Sequence, residues 1–168
     1  NEILSGRTKD ENVSFLASWL NNSLGIKVSE VRIVPDIENK IIKSILALSK
    51  SYDYVLTTGG IGPTHDGITS KSISKAFKKK YTYHKEAYSI LLKYYGKKNF
   101  NDPRKKMAKM PEGAKLVFNP SSAAPGFVIQ NVICLPGVPS ILKSMSDNLR
   151  RYLKPGLKTY SLTVTVET

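Results

Sequence analysis

The strongest constraint on the fold is the stretch Tyr54–Thr69, whose sequence is YVLTTGGIGPTHDGIT. It opens with an apolar, β-favouring run, breaks at Gly59-Gly60, and ends at a threonine suited to cap the helix predicted after it. Glycine lets backbone N–H groups approach a phosphate closely, and a helix start adds partial positive charge. The stretch therefore predicts a strand–loop–helix unit of an α/β domain, with either a ligand loop or a plain tight turn at its centre.

Length and composition limit the class of protein. The 168 residues suit one domain with a sizeable core, and a hydrophobic content of 40% is typical of globular proteins. No apolar run approaches the ~20 residues that a membrane span needs, and the polar start Asn1-Glu2 does not resemble a signal peptide. The single cysteine, Cys134, excludes an internal disulfide, and its apolar surroundings predict a buried, inert thiol. We therefore expect a cytoplasmic protein without a membrane partner.

The net charge of +13 is concentrated in one segment. Between residues 71 and 115, fourteen lysine and arginine side chains are opposed by three acids, and five tyrosines are interleaved with them. Such a segment is typical either of a nucleic-acid surface or of a lysine-rich solvated face. Because no arginine-rich stripe and no RNP-like motif accompanies it, the sequence does not favour nucleic acid as a partner.

Helix and strand patterns alternate along the first part of the chain. A helix capped by Asp10 or Asn12 carries an apolar face and stops at a glycine, and Ile26–Val34 predicts a strand. Asp36 follows, and a helix over about residues 38–50 leads into the strand before the glycine loop. This order predicts parallel strands with right-handed crossovers, which place Asp36 and the loop at the same edge of the sheet. The alternative for Asp36 is a helix N-cap.

The second part of the chain is predicted to contain a basic helical segment, followed by strands and a further helix. Residues 70–112 are basic and helical and resemble an insertion or cap over the site within a single domain of residues 1–168. The predicted helices of this part begin after Thr69, cover about Glu86–Tyr95, run from Asp102 to Met110, and follow Pro136–Ser140. The predicted strands are Ala114–Phe118, a hairpin turning at Gln130-Asn131, and the alternating run Tyr160–Val166.

Several stretches occur in the order known from the molybdopterin-binding-like (Mog/MoaB-type) fold. They are Asn1–Gly6 with Asn12 downstream, Thr57–Thr69, Lys106–Ala108, Ala124–Phe127 and Leu135–Pro139. The chain resembles this family over nearly its whole length, most of all the N-terminal domain of CinA-type (competence/damage-inducible) proteins and the matching domain of eukaryotic FAD synthases. The resemblance implies a three-layer α/β/α fold with a mostly parallel sheet, whose first strand would precede Asn1.

The resemblance also implies function. In Mog-type relatives the loop binds a pterin phosphate and supports adenylyl chemistry on molybdopterin. In CinA-type domains the implied activity is metal-dependent hydrolysis of a pyrophosphate bond in ADP-ribose or FAD-like dinucleotides. Both need backbone N–H donors for phosphate oxygens, and carboxylates that hold a divalent metal or orient water. The implied partners are a small phosphate-bearing ligand, molybdopterin or a nucleotide, and further copies of the chain in a dimer or trimer.

The implied site residues centre on the glycine loop. Those expected to bind the ligand are Thr58, Gly59, Gly60, Gly62, Thr69, Ser121, Ser122, Pro136, Gly137, Pro139, Glu2 and Asn12. Asp66 and Asp36 are the expected catalytic carboxylates, and Asp66 is the expected ligand of Mg²⁺, Mn²⁺ or Co²⁺. His65 lacks a zinc-binding partner and is peripheral, and Lys106 is either a phosphate contact or one solvated lysine among many.

One departure from the family pattern bears on activity. The family usually carries two consecutive acids where this chain has Asp66-Gly67, and an ungapped alignment puts the Mog-type catalytic aspartate on Gly67. Either Asp66 takes over that role and the domain is a hydrolase, or the domain is a non-catalytic module that binds molybdopterin or a nucleotide.

Overall fold

The computed structural model describes residues 4, 6, 10–63 and 67–157. The helices are α1 (Glu11–Leu24), α2 (Glu38–Ser51), α3 (Thr69–Ala76), α4 (Lys85–Asn99), α5 (Asp102–Lys106), α6 (Pro139–Ser144) and α7 (Ser146–Leu149). The strands are β1 (Val55–Thr58), β2 (Tyr81–Tyr83), β3 (Lys109–Pro111), β4 (Lys115–Val117), β5 (Gly126–Ile129) and β6 (Val132–Leu135). Among these helices none has the length and apolar character to cross a membrane. The predicted strand Tyr160–Val166 lies outside the described residues.

Four strands form the central sheet, in the order β1-β6-β5-β4. β1 and β6 pair in parallel from Val55 opposite Val132 onward, whereas β5 is antiparallel to both β6 and β4. The predicted hairpin is confirmed, and its turn places Gln130 in the left-handed region with φ 52°. The described strands therefore form a mixed sheet with one parallel and two antiparallel pairings, rather than the mostly parallel sheet that the resemblance implies, and the α/β class is confirmed.

The two faces of the sheet carry separate hydrophobic clusters. Val55, Phe127 and Cys134 belong to a cluster with buried residues of α2, α3 and α4. Ile133 and Leu135 belong to a second cluster with buried residues of α1, α6 and α7. Successive side chains of a strand point to opposite faces, so the alternation along β6 sets one helical layer on each side. The result is the three-layer α/β/α arrangement that the resemblance implies.

The basic segment packs into the first of these clusters. Ala87, Leu91 and Met110 are almost fully buried there, and they share the cluster with Val55 of the central sheet. Most lysines of the segment are exposed, and helix α4 turns a narrow apolar stripe inward. The segment thus contributes buried residues to the core of the domain.

The prediction of a strand over Ile26–Val34 is wrong for the described structure. No strand is assigned to these residues, and the side chains of Val31 and Ile33 are 49% and 48% exposed. β-favouring residues make a strand only when a neighbouring backbone pairs with them, and no described strand lies alongside this segment.

Three helix predictions also need correction. Helix α5 ends at Lys106 and not at Met110, because Lys109–Pro111 pairs antiparallel with Tyr81–Tyr83. Thr69 is the first residue of α3 rather than its cap, which is Ile68. Helix α4 extends to Asn99, but it is interrupted at the predicted stop, Gly96, whose φ of 71° and ψ of 156° are not helical.

Candidate functional site

The glycine loop leaves β1 through two residues that need glycine. Gly59 and Gly60 have φ angles of 92° and 69°, which side-chain-bearing residues rarely adopt. The Gly59 amide donates a hydrogen bond to the Leu135 carbonyl (2.9 Å), so the parallel ladder extends into the loop. The Thr69 amide donates to the Gly60 carbonyl (3.2 Å), and the Thr69 side chain occupies the space where a Cβ on residue 60 would lie. The loop is thereby closed back onto the start of α3.

A small cavity lies beside this loop. Its wall is formed by Gly60, Ile61, Gly62, Gly67, Ser70, Tyr81, Lys106, Met107, Lys109, Pro125 and Phe127. Its volume of about 10 Å³ is close to the minimum that holds one water molecule. The cavity as it stands is therefore too small to enclose a phosphate.

Two lysines give the cavity its positive charge. Lys106 and Lys109 are half-buried, and both line the cavity together with the glycines. Of the two alternatives for Lys106, the structure favours a place at the site over a purely solvated one. Glycines, the first turn of α3 and two lysines around one cavity make an environment suited to an anion.

Three residues of the cavity were not anticipated from the sequence: Ser70, Tyr81 and Lys109. The Ser70 hydroxyl donates a hydrogen bond to the Lys109 carbonyl (2.9 Å), which ties α3 to β3. Burial raises the pKa of the Tyr81 phenol, so the phenol keeps its proton at neutral pH. The only available signal was the position of Lys109 directly after Lys106–Ala108, a stretch that carries the family resemblance.

A second loop meets the glycine loop at the end of β6. A Cβ on Gly137 would lie 3.0 Å from the Gly59 Cα, so the two backbones are in van der Waals contact. The Asn12 side chain is 7% exposed and its amide donates to the Gly137 carbonyl (2.8 Å). The Asn12 Oδ1 atom is buried without a hydrogen-bond partner among the described residues. Asn12 thus holds this second loop in place and does not line the cavity.

Other predicted ligand residues lie elsewhere. The backbone amides of Ser121 and Ser122 donate hydrogen bonds to the Oδ1 atom of Asn119, at 2.9 and 3.2 Å. The Ser121 hydroxyl also donates to the Ser144 hydroxyl (2.7 Å). Thr58 ends β1 as an exposed residue, and Pro136 and Pro139 flank Gly137 as half-buried residues. None of these residues is in the cavity wall given above.

The carboxylates expected to act in the site are not assembled by the described residues. Glu2, His65 and Asp66 lie outside the described part of the chain. Asp36 is half-buried just before the α2 cap, Ile37, and is not in the cavity wall. Within residues 10–63 and 67–157, no group of three or more His, Cys, Asp or Glu side chains could hold a metal ion.

Gly67 packs tightly against the other side of the loop. A Cβ on residue 67 would lie 3.1 Å from the Gly60 carbonyl oxygen and 3.5 Å from that of Gly62. The first distance is shorter than ordinary van der Waals contact, so a side chain here requires the loop to give by a few tenths of an ångström. The glycine at the departure from the family pattern is thus also a packing position.

The family described as "Probable molybdopterin binding domain" matches residues 1–158. The chain belongs to this family. A solved structure similar to this molybdopterin-binding domain is that of "the protein CinA with unknown function" from Thermoplasma acidophilum. It has a TM-score of 0.83 and 30% identity, over 90% of this chain and 91% of that one.

Curated relatives of this molybdopterin-binding domain are longer than the chain. A protein of Archaeoglobus fulgidus is 36% identical over 93% of the chain and 66% of its own length. A CinA-like protein of Fusobacterium nucleatum is 36% identical over 90% of the chain and 38% of its own length. The chain therefore spans between about one third and two thirds of the length of these relatives, and the resemblance to CinA-type proteins is confirmed.

Proposed function

We propose that this domain binds a phosphate-bearing nucleotide or pterin at the glycine-loop cavity and hydrolyses a pyrophosphate bond in ADP-ribose or an FAD-like dinucleotide. The observation that supports binding is the convergence of Gly60, Gly62 and the start of α3 with Lys106 on one cavity. Backbone N–H groups and an ammonium group stabilise phosphate oxygens, and they do so more strongly as charge develops during phosphoryl transfer. Membership of the molybdopterin-binding family, with CinA-like relatives, supports the ligand class.

Hydrolysis needs a group that orients water, and we assign this role to Asp66 from the family resemblance. Replacement of Asp66 with Ala is expected to abolish AMP formation from ADP-ribose and FAD, with thermal unfolding unchanged. Product chromatography with Mg²⁺, Mn²⁺ or Co²⁺, and again with EDTA, measures this. Wild-type turnover in the Asp66→Ala protein would remove Asp66 from the mechanism.

A second candidate is a binding module without catalysis, and the packing of Gly67 favours it. The loop closes onto a residue without a side chain, at the position where the family resemblance implies an acid. Saturable binding of ADP-ribose or a pterin phosphate, with no product in any divalent metal, would support this candidate over the hydrolase.

The Gly67→Asp variant separates the two candidates when it is compared with Gly67→Ala. The alanine variant imposes the same displacement of the Gly60 carbonyl but adds no carboxylate. If the wild-type protein forms AMP, the hydrolase proposal stands and Asp66 suffices. If only Gly67→Asp does so, and Gly67→Ala does not, the natural chain is a binder on a hydrolase scaffold.

A further inference from the structure

Lys109 is an unusual lysine for this chain. Most described lysines are exposed; within residues 10–63 and 67–157, only Lys105, Lys106 and Lys109 are half-buried. Lys105 forms an ion pair with Asp102 (3.0 Å). Lys109, by contrast, forms no ion pair with any carboxylate of the described residues. Partial burial of an ammonium group is unfavourable unless other groups replace its lost hydration.

Cation–π contacts with two tyrosines offset part of the lost hydration. The Lys109 ammonium lies 4.7 Å from the ring centroid of Tyr83 and 6.0 Å from that of Tyr81. Tyr83 is in turn held by an edge contact with Tyr88 (5.5 Å between centroids). A ring face attracts a cation but satisfies none of its N–H donors, so the described residues leave the three donors of the ammonium available to an anion.

The backbone of Lys109 is fixed as well. Its carbonyl accepts the Ser70 hydroxyl from the first turn of α3, and its strand pairs with β2. The side chain of Lys109 therefore extends from the backbone of a paired strand and not from a loop. Lys109 lines the same cavity as Gly60, Gly62 and Lys106.

We propose that Lys109, supported by Tyr81 and Tyr83, forms a second anion subsite that makes the cavity selective for a diphosphate over a monophosphate. The glycine loop would hold one phosphate, and Lys109 would bind the next one of the same ligand. This subsite rests on the proposed binding function and names the feature of the ligand that the domain recognises. Two adjacent phosphates carry more charge than one, which matches two cationic side chains on one cavity.

The test measures binding of ADP and AMP by calorimetry in EDTA, without any turnover. The variant is Lys109→Met, which keeps the apolar stem on the tyrosine rings and removes the charge. Its matched control is Lys80→Met, an exposed lysine next to Tyr81 that is not in the cavity wall. Lys109→Arg keeps the charge.

We expect wild-type protein to bind ADP more tightly than AMP, and Lys109→Met to weaken ADP binding about tenfold with AMP nearly unchanged. Lys109→Arg should retain the preference, and Lys80→Met should not alter it. Equal losses for AMP and ADP, or a loss no larger than that of Lys80→Met, would overturn the subsite alone. Failure of wild-type protein to bind either nucleotide would overturn the binding function with it. If Lys109→Met does not fold, Lys109→Gln takes its place under the same criteria.

Discussion

Cys134 lies in the middle of β6 with its side chain fully buried between the sheet and the helices of the first cluster. Burial raises the pKa of its thiol from 9.0 to about 12. Between these values the unfolded chain releases the thiol proton while the folded chain keeps it. The free energy of unfolding therefore falls as pH rises through this range, by about 1.4 kcal/mol per pH unit from this group. Below pH 9 the group makes no such contribution to pH dependence.

The Cys134→Ala variant isolates this effect from the lysines and tyrosines that also titrate at high pH. Urea unfolding of both proteins at pH 8 and pH 10.5 is the measurement. Wild-type protein is expected to lose more stability over this interval than the variant does. Parallel losses in the two proteins would show that the thiol does not keep its proton in the folded state.

At the scale of elements, the starts of α1 and α2 differ in their capping. Asp10 caps α1 as one of the two predicted candidates, and its carboxylate accepts the Val13 amide (3.0 Å). Ile37 caps α2 without a side-chain hydrogen bond and is 53% exposed, although its backbone has the extended geometry of a cap. Asp10→Ala should lower the free energy of unfolding by about 1 kcal/mol, and Ile37→Ser should raise it by about 0.5 kcal/mol. Chemical denaturation at pH 7 measures both, and changes of the same sign would contradict the capping argument.

At the scale of the whole molecule, charge is distributed very unevenly. Eleven of the thirteen net positive charges fall between residues 71 and 115, on α3, α4, α5 and the short strands around them. Most of these lysines are exposed and spread over several elements. We therefore expect association with single-stranded oligonucleotides to be weak, to fall steeply with salt, and to vanish near physiological ionic strength. Fluorescence anisotropy across a salt series measures this. A salt-resistant complex that depends on Tyr94, 57% exposed on α4, would instead support a nucleic-acid surface.

Local patterns predicted those elements whose signals lie within a few neighbouring residues. The helices α1 and α2, strand β1 and the β5–β6 hairpin follow from side-chain periodicity and turn residues, which act over short range. The pairing of β2 with β3 was missed, because Tyr81–Tyr83 and Lys109–Pro111 are three-residue strands separated by two helices. The strand predicted over Ile26–Val34 is absent for the converse reason. These residues favour a strand locally, but no described strand pairs with them.

The sequence by itself determined the family, the α/β class and the glycine loop. A backbone conformation that requires glycine can be recognised in the sequence from the glycine at that one position. Only the tertiary structure decided what faces that loop. Ser70, Tyr81 and Lys109 come from three elements and meet on one cavity through contacts between residues up to 39 positions apart, such as the Ser70–Lys109 hydrogen bond. Ser121 and Ser122 have hydroxyl groups that could bind a ligand, but they lie outside the cavity wall and their backbone amides donate to Asn119. Contacts between distant segments depend on how whole layers pack, and no local pattern encodes them.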